Sequence, residues 1–343
     1  MGLVPMKILA DHAAKNGYAV GHFNITDLDF LDAVLSTAVE KRSPVIIAIA
    51  EVHFAHLNLE LLSYVAHRAA MAAPIPVAVT LDHGKTLEGV MAGIRYGYTS
   101  VMFDGSLLPF EENVEATAQV AKIAHAAGVS VEGEVGHVAG GEGVLTPTAA
   151  SRELFTKPEE AEEFVKRTNV DCLAVSVGNV HGLYKGEPEI DFDRIRRIRE
   201  LVRVPLALHG GSGISDEDFR RAIKCGMAKI NIYTDMQIRA RNKILECFAR
   251  MKETTTYIDL MDAARDGVKE EVGRKLELFG SVGVCGSVNP LCEFCDAHLP
   301  GSGGRFICKD LGQARGSEDG LVSLIADSVL KVLRERGGFP PSR

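Results

Sequence analysis

Pro76-Val77-Ala78-Val79-Thr80-Leu81-Asp82-His83-Gly84 is a short apolar, β-branched-rich run that stops on an acid, a histidine and a glycine. Two later stretches repeat the pattern. Cys172 to Val177 (CLAVSV) leads to Gly178-Asn179-Val180-His181-Gly182, and Val204 to Leu208 (VPLAL) leads to His209-Gly210-Gly211-Ser212-Gly213. Runs that are apolar at consecutive positions read as parallel strands buried on both faces. Three histidines therefore fall at three strand ends. Neutral imidazoles gathered there can hold a Zn²⁺ with a position left open, which separates a catalytic site from a closed structural one. Asp82 would lie beside the metal. One such histidine alone reads as a hydrogen-bonded loop residue; three in matching contexts favour the metal.

Outward from these strands the chain alternates. Val20 to Asn24 reads as a strand and Asp27 to Lys41 as a helix, followed by strand Pro44 to Ala50 and a helix around Leu59 to Met71. After the Asp82 strand come helix Leu87 to Tyr96, strand Thr99 to Phe103, helix Phe110 to Ala127 and strand Val129 to Glu134. A long Gly-rich loop, Gly136 to Thr156, then precedes a helix opened by Lys157-Pro158; loops of that length usually work as lids or binding loops. Helix Phe192 to Leu201 follows the His181 strand. Ser215 caps a helix through Gly226, with Asp218 as an acidic stand-in for the capping-box Glu, and strand Ala228 to Ile232 leads into a helix to Met251. Eight strand-helix alternations specify an α/β fold, a (β/α)₈ TIM barrel over residues 1–280, with a C-terminal helical, Cys-containing extension over 281–343. A doubly wound sheet is the alternative. The barrel explains more, because closed strands bring all eight C-terminal loops onto one face.

Charge narrows the function. Lys plus Arg total 38 against 46 Asp plus Glu, for a net charge of -8, which argues against a partner that is nucleic acid or a membrane surface. No apolar run approaches the ~18 residues of a membrane span, and Met1 to Lys15 lacks a signal peptide's apolar segment. A cytoplasmic location is expected. Seven cysteines, an odd number, speak against a disulfide framework. Cys172, Cys225 and Cys247 read as small hydrophobes.

Gly210-Gly211-Ser212-Gly213, leading into a helix, is an arrangement that favours a phosphate, and the Asn231 to Thr234 turn is its partner after the eighth strand. Ordinary tight turns are the plainer reading. Lys185 either closes over that phosphate or is a solvated surface residue. Alternation sends Glu132 and Glu134 to one face, where two carboxylates are costly without a cation or donors, so at least one belongs to a metal site. Glu142, in the long loop, is either a solvated acid or a base delivered when the loop closes.

The sequence resembles a family. Asn24, LDHG (Leu81 to Gly84), SVMFDGS (Ser100 to Ser106), PFEENV (Pro109 to Val114), VSVEGEVG (Val129 to Gly136), NVHGLYKGEP (Asn179 to Pro188), LHGGSG (Leu208 to Gly213) and NIYTD (Asn231 to Asp235) are similar, in order from about Leu3 to Gly280, to the zinc-dependent class II ketose-bisphosphate aldolases. That family includes fructose- and tagatose-1,6-bisphosphate aldolases. The resemblance implies a metal-dependent carbon–carbon lyase of carbohydrate metabolism, in the manner of glycolysis. It would cleave a phosphorylated ketose into dihydroxyacetone phosphate and an aldehyde, as a homodimer or homotetramer. It makes His83, His181 and His209 the Zn²⁺ ligands, with Glu134 and Asp104 near the metal and a monovalent cation as a further possible ion. Asp82 becomes the acid at the aldehyde oxygen in condensation. Glu142 becomes the loop acid that moves a proton at the dihydroxyacetone-phosphate carbon. Asn24 falls in the substrate site, Gly182, Lys185, Gly210, Gly211, Ser212, Asn231 and Thr234 in the phosphate cradle, and Arg265 at a distal second phosphate.

Zn²⁺ acting as a Lewis acid on the enediolate makes a Schiff-base lysine unnecessary, and the sequence offers no obvious strand-end lysine. Two positions depart from the pattern. Ala50 stands where relatives carry Ser or Thr, and Tyr233 stands where they carry a smaller residue, so the aldehyde half is open; a different phosphorylated sugar or sugar acid, and a non-catalytic sugar-phosphate-binding barrel, are the alternatives. Retention of Asp82, Glu142 and three histidines argues against the last of these. In the extension, Cys285, Cys292, Cys295 and Cys308 are enough thiols for a second Zn²⁺ knuckle, or are free thiols, and Asp319 to Arg336 reads as an amphipathic helix.

Overall fold

In the computed structural model, which describes residues 2–250 and 254–286, the apolar runs become eight parallel strands. They are β1 (Val20–Asn24), β2 (Val45–Ala50), β3 (Val77–Gly84), β4 (Ser100–Phe103), β5 (Ser130–Val135), β6 (Cys172–Val175), β7 (Leu206–Leu208) and β8 (Met227–Ile232). Each pairs with its sequence neighbour, and β8 closes on β1 through His22 opposite Asn231. This is the (β/α)₈ barrel expected. Every residue of these strands is buried, as closure demands.

The helices begin where their caps put them. Asp27 accepts the Phe30 N–H before α2 (Leu28–Glu40), and Thr86 accepts the Gly89 N–H before α4 (Leu87–Arg95). Each such cap is worth about 1 kcal/mol. Ser215 caps α8 (Asp216–Cys225), but the Asp218 carboxylate returns to the Ser215 hydroxyl rather than to its backbone. A reciprocal capping box occurs instead at Thr256 and Asp259, opening α10 (Tyr257–Leu278). Between the strands and the outer helices, Phe23, Phe164, Phe219 and Phe279 are almost fully enclosed, each contributing roughly 1.5–3 kcal/mol by burial. Gly133 permits part of this packing, since a Cβ there would stand 2.8 Å from the Phe164 ring.

Several features go beyond the sequence reading. α1 (Met6–Asn16) buries Met6, Leu9, Ala10 and Ala13 against the N-terminal end of the barrel, with the Lys7 N–H donating to Ser130 Oγ. α10 packs on α2 and α9 (Thr234–Ala249). The long loop after β5 is tied down by a two-residue strand, Pro147–Thr148, paired with Leu183–Tyr184. Strand β3 continues to Gly84 rather than stopping at Leu81, and its pairing with β4 slips between Leu81 and Gly84.

Cys285 packs with the barrel. It is buried in the apolar core, its N–H donates to Arg42 O, and burial pushes its thiol up to about 12. Cys292, Cys295, Cys308 and the helix expected over Asp319 to Arg336 lie outside the described residues.

Candidate active site

The slip in β3 builds the centre of the site. Strict alternation would send Asp82 and His83 to opposite faces. His83 instead takes φ +45°, in the left-handed region that a non-glycine residue seldom adopts, within the bulged stretch. Both side chains thereby reach the barrel mouth, and such strain is characteristic of functional sites.

The ring nitrogens of His83, His181 and His209 lie within 4.8 Å of one another. The partners of their other nitrogens set which atoms face inward. His83 Nδ1 is 2.8 Å from Asp104 Oδ2, His209 Nε2 is 2.7 Å from Glu132 Oε1, and His181 Nδ1 is 3.3 Å from Val138 O. With those nitrogens donating, His83 Nε2 and His209 Nδ1 face each other at 2.8 Å, and His181 Nε2 is buried with no hydrogen-bond partner among the described residues. Two lone pairs at that separation repel unless a cation or proton stands between them. The donor set therefore fits a divalent ion, each imidazole oriented by an outer partner as metal-binding histidines usually are.

The surrounding charge agrees. Burial alone would lower His83, yet the Asp82 and Asp104 carboxylates outweigh it and raise it to about 10. A field that favours a proton there favours a metal cation as well. Glu134 joins His83 and Asp104 in a second possible ligand group. Its carboxyl is pushed up to about 8, first by burial and then by Asp104. Asp104 itself is held well below the usual carboxylate range, because hydrogen bonds from His83 and Ser106 outweigh its burial.

Asp82, fully buried, receives Asn24 Nδ2 at 2.7 Å on one oxygen and Asn231 Nδ2 at 3.1 Å on the other. Burial disfavours its charge, but His83, His22, His209 and Lys229 outweigh burial and keep it ionised. Glu142 lies over the same place. Its Oε1 accepts from Asn24 at 3.2 Å and its Oε2 is 3.6 Å from His181 Nε2. Burial and then the Asp82 charge push Glu142 up to about 7. The loop that carries it is closed onto the β6 loop: a Cβ at Gly140 would stand 2.4 Å from His181 O, and one at Gly182 2.2 Å from Val144 O.

Around the rim, Gly210 abuts Val180 O, the Gly211 N–H donates to Asn231 O, and the Asp235 N–H donates to buried Ser212 Oγ. Gly210, Gly211, Ser212 and Asn231 thus adjoin on one side of the rim, with Gly182 against the Gly141 to Val144 loop and Thr234 buried at the start of α9. Lys185 is not among them. Its N–H donates to Thr148 O at the end of the small two-stranded sheet, and its exposed side chain faces a cleft with Arg152, Glu187, Asp218 and Arg221. Arg265, on α10, is engaged by Asp29, Asp32 and Asp262. Tyr233 is buried against the loop at Gly143, and its ring lies 4.9 Å from that of His53. Ala50 stands beside Asp82 in the β2–β3 register.

The sequence reading passed over three residues here. His53, on the short turn after β2, has a buried Nδ1 with no hydrogen-bond partner among the described residues. His22 is buried below Asp82, 3.6 Å from its Oδ1. Lys229, inside β8 rather than at its end, is a lysine that the search for a strand-end lysine does not find: it is fully buried, with Nζ 2.9 Å from Glu132 Oε2. The signal available was Lys229-x-Asn231, a period-two pair on a strand whose other residues are apolar.

Known proteins resemble this chain across the barrel. The family model described as fructose-bisphosphate aldolase class-II matches residues 4–284. The fructose-bisphosphate aldolase of Geobacillus stearothermophilus is 42% identical over 292 residues, covering 82% of this chain and 99% of the relative. The probable fructose-bisphosphate aldolase of Bacillus subtilis is 40% identical over 284 residues, with the same coverage. Among solved structures, the YdjI aldolase from Escherichia coli K12 aligns with a TM-score of 0.73 at 34% identity, over 82% of this chain and 98% of that one. With the barrel and the clustered histidines and carboxylates already in place, these matches settle the family: the chain belongs to the class II fructose-bisphosphate aldolases, metal-dependent lyases of carbohydrate metabolism.

Proposed function

We propose that this enzyme, with Zn²⁺ at His83, His181 and His209, reversibly cleaves a phosphorylated ketose of the fructose 1,6-bisphosphate type to dihydroxyacetone phosphate and an aldehyde. The observation that carries the reading is the convergence of three inward-facing imidazole nitrogens with Asp82 and Glu142 in one buried space. Zinc, when bound, supplies Lewis-acid stabilisation of the negative charge that develops as the carbon–carbon bond breaks. Asp82, kept ionised by His83, His22, His209 and Lys229 and oriented by two amide donors, takes the proton of the hydroxyl on the departing aldehyde carbon, and in condensation returns it. Glu142, with a pKa of about 7, is suited both to accept and to give a proton at the dihydroxyacetone-phosphate carbon near neutral pH. The Gly210 to Ser212 turn and the Asn231 to Thr234 turn hold the phosphate, Asn24 orients both carboxylates, and Glu134 and Asp104 offer a second metal position beside His83.

The assembly we infer is a homo-oligomer, a dimer or tetramer. Leu245 and Phe248 on α9 and Tyr257 and Ile258 at the start of α10 are large apolar side chains left exposed, and they support it, since exposed apolar surface commonly marks an interface. Metal analysis, light scattering and a cleavage assay over a panel of phosphorylated ketoses, read by dihydroxyacetone phosphate release, test the three parts.

A second reading, a preference for another phosphorylated sugar, is favoured by the Tyr233–His53 wall and by the acids that occupy Arg265. It predicts weak turnover of fructose 1,6-bisphosphate. Cleavage of that sugar at ~10⁵ M⁻¹s⁻¹, within the range of efficient enzymes, would remove it.

A further inference from the structure

We propose that Lys229 is a positioning residue of the aldol reaction, fixing together the inward-facing nitrogen of His209 and the amide of Asn231 that holds Asp82. The inference rests on the aldolase reading and adds to it a residue that touches neither substrate nor metal. Lys229 and Asn231 are two apart on β8, so both side chains point into the barrel. A lysine side chain donates and never accepts. Lys229 Nζ lies 2.6 Å from Asn231 Oδ1, so the amide oxygen must face the lysine and the NH₂ must face Asp82 Oδ1, 3.1 Å away. The same nitrogen spans the Glu132 carboxylate, 2.9 Å from Oε2 and 3.1 Å from Oε1, and so fixes the carboxylate whose Oε1 also accepts from His209 Nε2 at 2.7 Å. His209 Nδ1 is then the nitrogen left for the centre.

Removal of the lysine would undo both contacts. The Asn231 amide could turn over and set its oxygen against Asp82, and Glu132 would be a buried charge lacking its cation. Engagement of Nζ on two sides also argues against a Schiff-base role. Lys229 is thus the link between the metal-binding and proton-transfer halves of the site.

The test uses the full chain with Lys229→Met and Glu132→Gln combined, so that no lone charge is left in the core. The variant should remain folded by circular dichroism, keep a KM close to wild type, and lose kcat for the preferred ketose phosphate by about 10²-fold, with a comparable weakening of metal affinity, as loss of outer-sphere partners does. Its cobalt-substituted form should show a shifted visible absorption spectrum. A folded variant with wild-type kcat and cobalt spectrum overturns the proposal. So does borohydride trapping of dihydroxyacetone phosphate on Lys229, which would make it a nucleophile. Should the variant not fold, long-range ¹H–¹⁵N spectra of the zinc-loaded wild type decide: His209 protonated on Nε2 supports the proposal, and protonation on Nδ1 overturns it. If the wild type cleaves no ketose phosphate, the aldolase reading fails separately, while metal affinity and the cobalt spectrum still decide the role of Lys229.

Discussion

At the floor of the barrel mouth, His83, His209 and Asp82 each have a polar atom held by another buried side chain, whether Asp104, Glu132, Asn24 or Asn231. At the rim, His53 presents a nitrogen with no hydrogen-bond partner among the described residues, Tyr233 packs on a loop rather than on a strand, and Lys185 faces outward. The floor is preorganised for charge: buried donors and carboxylates are already set, so little reorganisation remains for the reaction itself. The rim is shaped by side chains on connecting turns, where substitution costs the fold little. Reaction type should therefore be insensitive to rim changes, and substrate choice should be sensitive to them.

Metal removal strikes the floor hardest. Chelator treatment should lower cleavage by on the order of 10³-fold or more, given the several kcal/mol a Lewis acid contributes, while the melting temperature persists because the barrel core lies below the mouth. Full activity in metal-free protein would break the comparison at its base. Asp82→Asn should keep its bound metal and lose roughly 10²-fold or more in kcat; metal loss reversed by added Zn²⁺ would instead make Asp82 a ligand.

Glu142→Gln separates loop chemistry from floor chemistry. Exchange of the dihydroxyacetone-phosphate carbon proton with solvent should fall by about 10²-fold. In the wild type that exchange needs the ionised carboxylate, so its rate should rise with pH through about 7 and level off above. A rate flat across that window would assign the proton transfer elsewhere.

At the rim the effect should be smaller. Tyr233→Asp with Ala50→Ser should shift kcat/KM toward fructose 1,6-bisphosphate by roughly tenfold, about 1.4 kcal/mol, with bound metal unchanged. A matching loss for every ketose would show that Tyr233 serves the floor.

The smallest effect lies away from both regions. Burial would raise Glu271, but Arg274 and Lys275 outweigh it and hold its pKa down. Its contribution to stability is present above the ordinary glutamate range and lost as pH falls from there through the lowered folded value. Glu271→Gln should lower the melting temperature at pH 7 by on the order of 2 °C and flatten its acid limb. An unchanged acid limb would exclude this ion pair as a source of stability.

Most of the floor was legible in the residues themselves. Apolar runs ending in Asp82-His83-Gly84, His181-Gly182 and His209-Gly210 name strands and the groups at their ends, because strand burial and glycine punctuation are local properties. The eightfold alternation then leaves little besides a closed barrel. Pairing across the barrel is another matter. That Asp82 and His83 share a face follows from a bulge and a positive φ, which alternation would have denied. The separate partners of Glu132 and Glu134 depend on which opposing strand stands at which height, and Lys229 supplies one of them from 97 residues away. Cys285, grouped by sequence with the tail cysteines, is claimed by the barrel because backbone groups of residues 41 and 42 reach it and its neighbour Gly283. The sequence alone determined the elements, the chemistry at their ends and the family, through short-range patterns. The tertiary structure alone decided tautomers, amide orientations and the partner of each buried charge, because those depend on contacts between residues far apart in the chain.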